Sequence, residues 1–164
     1  MKIPSFSALF LGLLLAGCGT PGALVAQKTT NVEVRAALGN PTDIRFDRNG
    51  DELWEYARGP GGYETHLVRI GVDGRVKEVT QLLTQERLMS LTPGATTKPE
   101  VRHVLGRPSD TSYPGTGEAW SWRYDRGGSQ LGHLVVTFNP DNTVKERMTV
   151  MDISAGGSRD KGGK

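Results

Sequence analysis

Few residues here have the type and spacing that does chemistry. His66, His103 and His133 are the three imidazoles. None stands at metal-ligand spacing from another histidine, a cysteine or an acidic cluster. His66 and His133 fall near corresponding positions of two strands and read as strand residues. No Gly-x-Ser-x-Gly elbow and no Walker loop occurs. Gly59-Pro60-Gly61-Gly62 and Gly127-Gly128 lie between strands and read as turns rather than phosphate cradles. Asp47-Arg48-Asn49-Gly50-Asp51 begins like a calcium loop, but Glu52 stands where glycine is needed and no bidentate glutamate follows. An Asn-Gly hairpin turn accounts for it. The reading is non-enzymatic, with no cofactor and no metal.

The remaining reactive group is the thiol of Cys18, the one cysteine, so no intramolecular disulfide can form. Lys2 precedes an apolar run over 6–16, interrupted only by Ser7 and followed by small residues. About 20 apolar residues are needed to span a bilayer, so residues 1–17 read as an export signal. A thiol just after the cut can be diacylated, and the amino group freed by cleavage can be acylated in turn. Leu15-Ala16-Gly17-Cys18 resembles the lipobox of bacterial lipoproteins; the alternative is a buried structural cysteine. The resemblance implies lipid attachment at Cys18 and a membrane partner. Two or three acyl chains at ~0.8 kcal/mol per methylene make a stable anchor. Gly19 in place of aspartate implies outer-membrane sorting, on the periplasmic side. Residues 18–28 then form a lipidated tether.

The elements come as a repeat. Residues 29–43 (TTNVEVRAALGNPTD) and 96–110 (TTKPEVRHVLGRPSD) are identical at 9 of 15 positions, offset by 67. Beyond them the offset becomes 68, matching Trp54 to Trp122, Tyr56 to Tyr124 and Val76-Lys77-Glu78 to Val144-Lys145-Glu146. Thr30-x-x-Glu33 and Thr97-x-x-Glu100 are capping boxes that start short helices. Val34, Ala37 and Leu38, like Val101, Val104 and Leu105, line one helical face. Gly39 and Gly106 stop the helices. Alternation over 53–58 and 119–125, then around Val68 and Ile70 or Leu134, Val136 and Phe138, predicts strands. Turns at Asp73-Gly74 and Asp141-Asn142 lead into strands over 76–81 and 143–150. An extra helix is predicted over 85–91.

The fold class is therefore α+β: two tandem units, 29–82 and 83–152, each with short helices on a three-stranded antiparallel sheet. The Gly-rich tail 153–164 reads as disordered. A length of 164 residues with 36% hydrophobic content suits small layered units. Twenty basic against 18 acidic residues, net +2, excludes a strongly basic nucleic-acid binder.

The second unit carries a family resemblance. Its Leu91-Thr92-Pro93-Gly94-Ala95-Thr96-Thr97-Lys98 turn, Leu105-Gly106-Arg107-Pro108 stop and Trp122-Arg123-Tyr124 strand resemble the SmpA/OmlA (BamE-like) outer-membrane lipoproteins. The resemblance implies a cell-envelope role linked to outer-membrane β-barrel assembly, with a protein partner in the outer membrane or periplasm. Two departures stand out: the chain has two copies, and Val79-Thr80-Gln81-Leu82 replaces the family's Gln-Gly-Asn stretch. Two such units are also similar in architecture to the β-lactamase inhibitor protein, which implies an alternative, an inhibitor-like grip on a soluble periplasmic enzyme through a sheet face. The recurring aromatics Trp54, Tyr56, Trp122 and Tyr124 read as core, or else as an aromatic binding surface. Trp120, aligned with Glu52, lacks an aromatic counterpart and is the candidate partner-facing aromatic. The opposite face carries Glu55, Arg69, Arg123 and Thr137, read as solvated or as a polar docking surface.

Overall fold

A computed structural model describes residues 21, 24–115, 117–127 and 130–151. Cys18, the signal segment 1–17 and the tail 153–164 lie outside the described residues. The fold is α+β, with two four-stranded antiparallel sheets and short helices. The first half contains α1 (Asn31–Leu38), β1 (Asp43–Phe46), β2 (Glu52–Arg58), β3 (Glu64–Ile70) and β4 (Val76–Gln81). The second contains α2 (Gln85–Met89), α3 (Lys98–Leu105), β5 (Asp110–Ser112), β6 (Ala119–Gly127), β7 (Gln130–Phe138) and β8 (Val144–Met151). Strand order follows chain order in both sheets.

The expectation of three strands per sheet is corrected by β1 and β5. Each is a short edge strand directly after a helix stop, paired on one side only. Neither Asp-Ile-Arg-Phe nor Asp-Thr-Ser buries a residue fully, so neither carries the apolar alternation that marks a strand in sequence.

Local chemistry explains the helices. Thr30 and Glu33 form a reciprocal capping box: Glu33 accepts from the Thr30 N–H at 2.7 Å, and the Thr30 hydroxyl accepts from the Glu33 N–H at 3.4 Å. At α3, Glu100 accepts from the Thr97 N–H at 2.7 Å and its hydroxyl at 2.8 Å. These contacts hold both glutamates below the usual carboxylate range. Eight-residue helices are too short to persist alone, so tertiary packing sustains them. Val34 buries against Trp54, Tyr56, Val68 and Ile70. Val101 and Leu105 bury against Trp122, Tyr124, Leu134 and Val136. The four recurring aromatics are thus core, as their alternation predicts.

Each helix start is also stitched to the last hairpin of its own half, by isolated bridges Thr30–Arg75 and Thr97–Thr143. In the first half the stitching begins earlier. Leu24 packs on the core and the Gln27 N–H bonds the Val76 carbonyl at 2.7 Å. Residues 24–28, read from sequence as tether, belong to the first half.

Strand register corrects the alignment of the copies. Trp54 lies opposite Ile44 and Val68; Trp120 lies opposite Thr111 and Val136. Trp120 is therefore the counterpart of Trp54, and Trp122 stands in the place of Tyr56. The indole N–H groups agree: Trp54 donates to Glu52 at 2.6 Å and Trp120 to Glu118 at 2.5 Å. Alternating aromatics at 120, 122 and 124 permit two alignments that differ by two residues and keep every face.

Candidate binding site

The face of the first sheet opposite α1 carries Leu53, Glu55, Ala57, Leu67 and Arg69. Its centre is covered by the second half of the chain, while Ala57 stays exposed and a hollow of about 570 Å³ lies over Leu53 and Arg69. Glu55 is 1% exposed. Its Oε1 accepts from Nη1 of Arg102 at 2.5 Å and from Nη1 of Arg45; its Oε2 accepts from the Arg107 N–H at 2.9 Å. Arg102 also reaches Asp43 at 2.5 Å. One buried carboxylate thus gathers charged donors from both halves. Leu53, Leu67 and Leu82 form a small apolar cluster nearby. Gly106, at φ +76°, lets the end of α3 come in: a Cβ there would lie 2.8 Å from Leu82 and 3.1 Å from Glu55.

Arg69 is engaged elsewhere on this face. It pairs with Asp47 at 2.7 Å and lies 3.8 Å from Asp51, which Lys77 also holds at 2.7 Å. Asp47 shapes the Asn-Gly turn expected there, accepting from the N–H groups of Asn49 and Asp51. Glu55 and Arg69 therefore do structural work within the chain, Glu55 as the joint between the halves.

Trp120, the candidate partner-facing aromatic, is half-buried. Its ring meets Trp122 and Phe138 edge-on, at 6.1 and 5.0 Å between centroids. Lys98 lies 5.7 Å above it and bridges to Glu118 at 2.8 Å. This is a core margin capped by an ion pair.

Arg123 sits differently. It lies on the outer face of the second sheet, opposite His133, and its Nε–H bonds His133 Nε2 at 3.0 Å. The turn Pro60–Gly62 of the first half approaches it, and a Cβ on Gly61 would come within 2.5 Å of its Cδ. Two depressions meet here. A cleft of about 250 Å³ between the halves is lined by Glu55, Thr65, Arg107, Trp122 and Arg123. A hollow of about 460 Å³ over the second sheet is floored by Ala119 and Ser121 and edged by Asp110, His133 and Val135. Gly61, Ser109 and Arg123 border both, so the two depressions adjoin. Beyond them Met148, 53% exposed, and Val150 extend the same face.

His66 faces the core side of the first sheet, 3.8 Å from Glu64. Burial pushes its pKa down. Among the described residues, no three His, Cys, Asp or Glu side chains gather as a metal site, and no helix is long and apolar enough to cross a membrane. The two depressions are lined by the Arg123–His133 pair, by the carboxylates of Glu55 and Asp110, by hydroxyls and by apolar side chains. Local sequence could place Arg123 on the outer face of the second sheet. It could not show that the centre of the first sheet's equivalent face is filled, because those contacts span 47 or more residues. No family model, curated protein or solved structure matches the chain.

Proposed function

We propose that this chain is an acylated periplasmic lipoprotein, anchored in the outer membrane through Cys18. In this reading it consists of two SmpA/OmlA (BamE-like) units. It acts as a non-enzymatic binding or scaffold module for envelope integrity, beside outer-membrane β-barrel assembly. The anchor rests on the Leu15-Ala16-Gly17-Cys18 motif behind its apolar run. The binding role rests on one observation: the centre of the first sheet's outer face, around Glu55, is filled by the second half of the chain, whereas the corresponding face of the second sheet carries a hollow bordered by exposed Met148 and Val150. Tethering supplies the mechanism. Cys18 and the packed Leu24 are six residues apart, a reach of ~20 Å at full extension. The first half is thereby kept near the bilayer and the effective concentration of membrane partners is raised.

In-cell crosslinking of the lipidated protein, with mass spectrometry of the adducts, tests this. Barrel-assembly subunits or outer-membrane barrels support the scaffold role. A single soluble periplasmic enzyme supports the inhibitor-like alternative instead. Failure to fractionate with membranes removes the anchor.

A further inference from the structure

One end of the first half carries apolar side chains that its own packing does not use. Strand register sets Phe46, Glu52, Ile70 and Val76 level across the first sheet, so β1 ends, β2 starts, β3 ends and β4 starts at that end. The start of α1 joins it through the Thr30–Arg75 bridge, and the Asn31 N–H donates to the Gly74 carbonyl at 2.8 Å. Residues 25–29 join it as well. Arg75 Nη1 donates to the Lys28 carbonyl at 3.2 Å, and the Val76 N–H to the Thr29 carbonyl at 2.9 Å. Here Val72 is 80% exposed, Val32 72%, Phe46 69% and Val25 51%. Val72 stands in the tight turn between Gly71 and Gly74, where polar residues are the rule. Phe46 also edges the hollow over Leu53.

Exposed apolar side chains grouped in this way mark a contact surface. The repeat shows that the fold does not require them. At the corresponding positions the second half has Thr92 for Val25, Pro99 for Val32, Tyr113 for Phe46 and Pro140 for Val72. The same helix start, strand end and hairpin thus form without valines.

We infer that this end of the first half lies against the bilayer surface, with Val72, Val32 and Phe46 entering the boundary between headgroups and acyl chains. The inference rests on the lipid-anchor reading and adds an orientation to it. Position selects the occupant: Val25 is seven residues from Cys18, a reach of at most ~25 Å. The half that bears the valines is the half that the anchor holds at the membrane. Charge does not oppose the contact. Lys28, Arg48 and Arg75 are exposed and can keep their charges at headgroup level while their stems lie along apolar surface. The carboxylates of this end are engaged: Glu33 caps α1, Glu52 accepts from the Trp54 indole, Asp47 pairs with Arg69, Asp51 with Lys77, and Asp73 accepts from the Arg75 N–H. A few shallow side chains are too weak to hold the chain by themselves; the anchor makes their contact persist.

The one cysteine is the acylated one, so an added cysteine gives a unique thiol for a polarity-sensitive dye. V72C, V32C and, in the second half, P140C are labelled in the full lipidated chain and reconstituted into phosphatidylcholine vesicles. Dyes at 72 and 32 are expected to emit at shorter wavelength than in the matching C18A variants in buffer, and to be quenched by lipid carrying a headgroup-level nitroxide. The dye at 140 is expected to show neither. Adding V72D to the chain labelled at 32 should reduce the quenching there, with circular dichroism unchanged. A dye at 72 as water-exposed as the dye at 140, or equal shifts at all three positions, overturns the inference. Mass spectrometry of Cys18 separates the two readings. An acylated protein whose dye at 72 stays in water loses this contact and keeps its anchor; an unacylated Cys18 removes the anchor and this inference with it.

Discussion

Replacing Glu55 should loosen the joint between the two halves, and its size follows from the contacts. The carboxylate is 1% exposed and accepts from Arg45, Arg102 and the Arg107 N–H. Removing one member of a buried ion pair costs ~3–5 kcal/mol. Here the Arg45 and Arg102 side chains keep 21% and 24% exposure and lie near Asp43, so water and a second carboxylate relieve part of that. Glu55→Ala is expected to cost about 3 kcal/mol on that basis. Glu55→Gln keeps the volume and can still accept from Arg107, so about 2 kcal/mol is expected from the lost charge-assisted bonds. The assay is urea unfolding followed by tryptophan fluorescence and far-ultraviolet circular dichroism. At a slope of about 2 kcal/mol per molar urea, Glu55→Gln should lower the midpoint by about 1 M. Glu55→Gln and Arg102→Ala in a double-mutant cycle should couple by about 1–2 kcal/mol. A loss under about 0.5 kcal/mol together with an additive cycle would refute the joint.

Three further outcomes follow. Gly106→Ala should destabilise clearly more than Gly39→Ala in the same urea assay: both glycines have positive φ, but only at Gly106 would a Cβ press on Leu82 and Glu55. The pKa of His66 is lowered in the folded state by burial, so the unfolded chain binds the extra proton. Stability is full above the ordinary histidine range and declines as pH falls through it, and His66→Gln should remove that part of the slope. Cys18→Ala should leave both sheets folded by circular dichroism yet release the protein from the membrane fraction.

Much of this architecture is written locally. Capping boxes, glycine stops and period-two alternation placed all three helices, the six central and C-terminal strands and the core faces, because each signal needs only a few neighbouring residues. Asp43–Phe46 and Asp110–Ser112 escaped because a polar edge strand buries little and leaves no alternation to read. Matching Trp54 to Trp122 failed by two residues for a related reason: a slip of two keeps every side chain on its face, and only the pairing with β5 and β7 decides between the registers. Glu55 read as solvent-facing because its partners Arg102 and Arg107 lie 47 and 52 residues away. That Arg123 lies on the face opposite the core aromatics was legible from alternation. The depression beside it was not, since Gly61 reaches Arg123 only where the halves meet.

The central claim is that this is an anchored module working through the outer face of its second sheet. Site-specific photo-crosslinking of the lipidated protein in cells tests it most directly, with the probe at Val135 in the hollow and, separately, at exposed Val72 on the first half. The account predicts adducts from Val135 with a protein of the cell envelope, and none from Val72. Silence at Val135, or the same adducts from both positions, would contradict it.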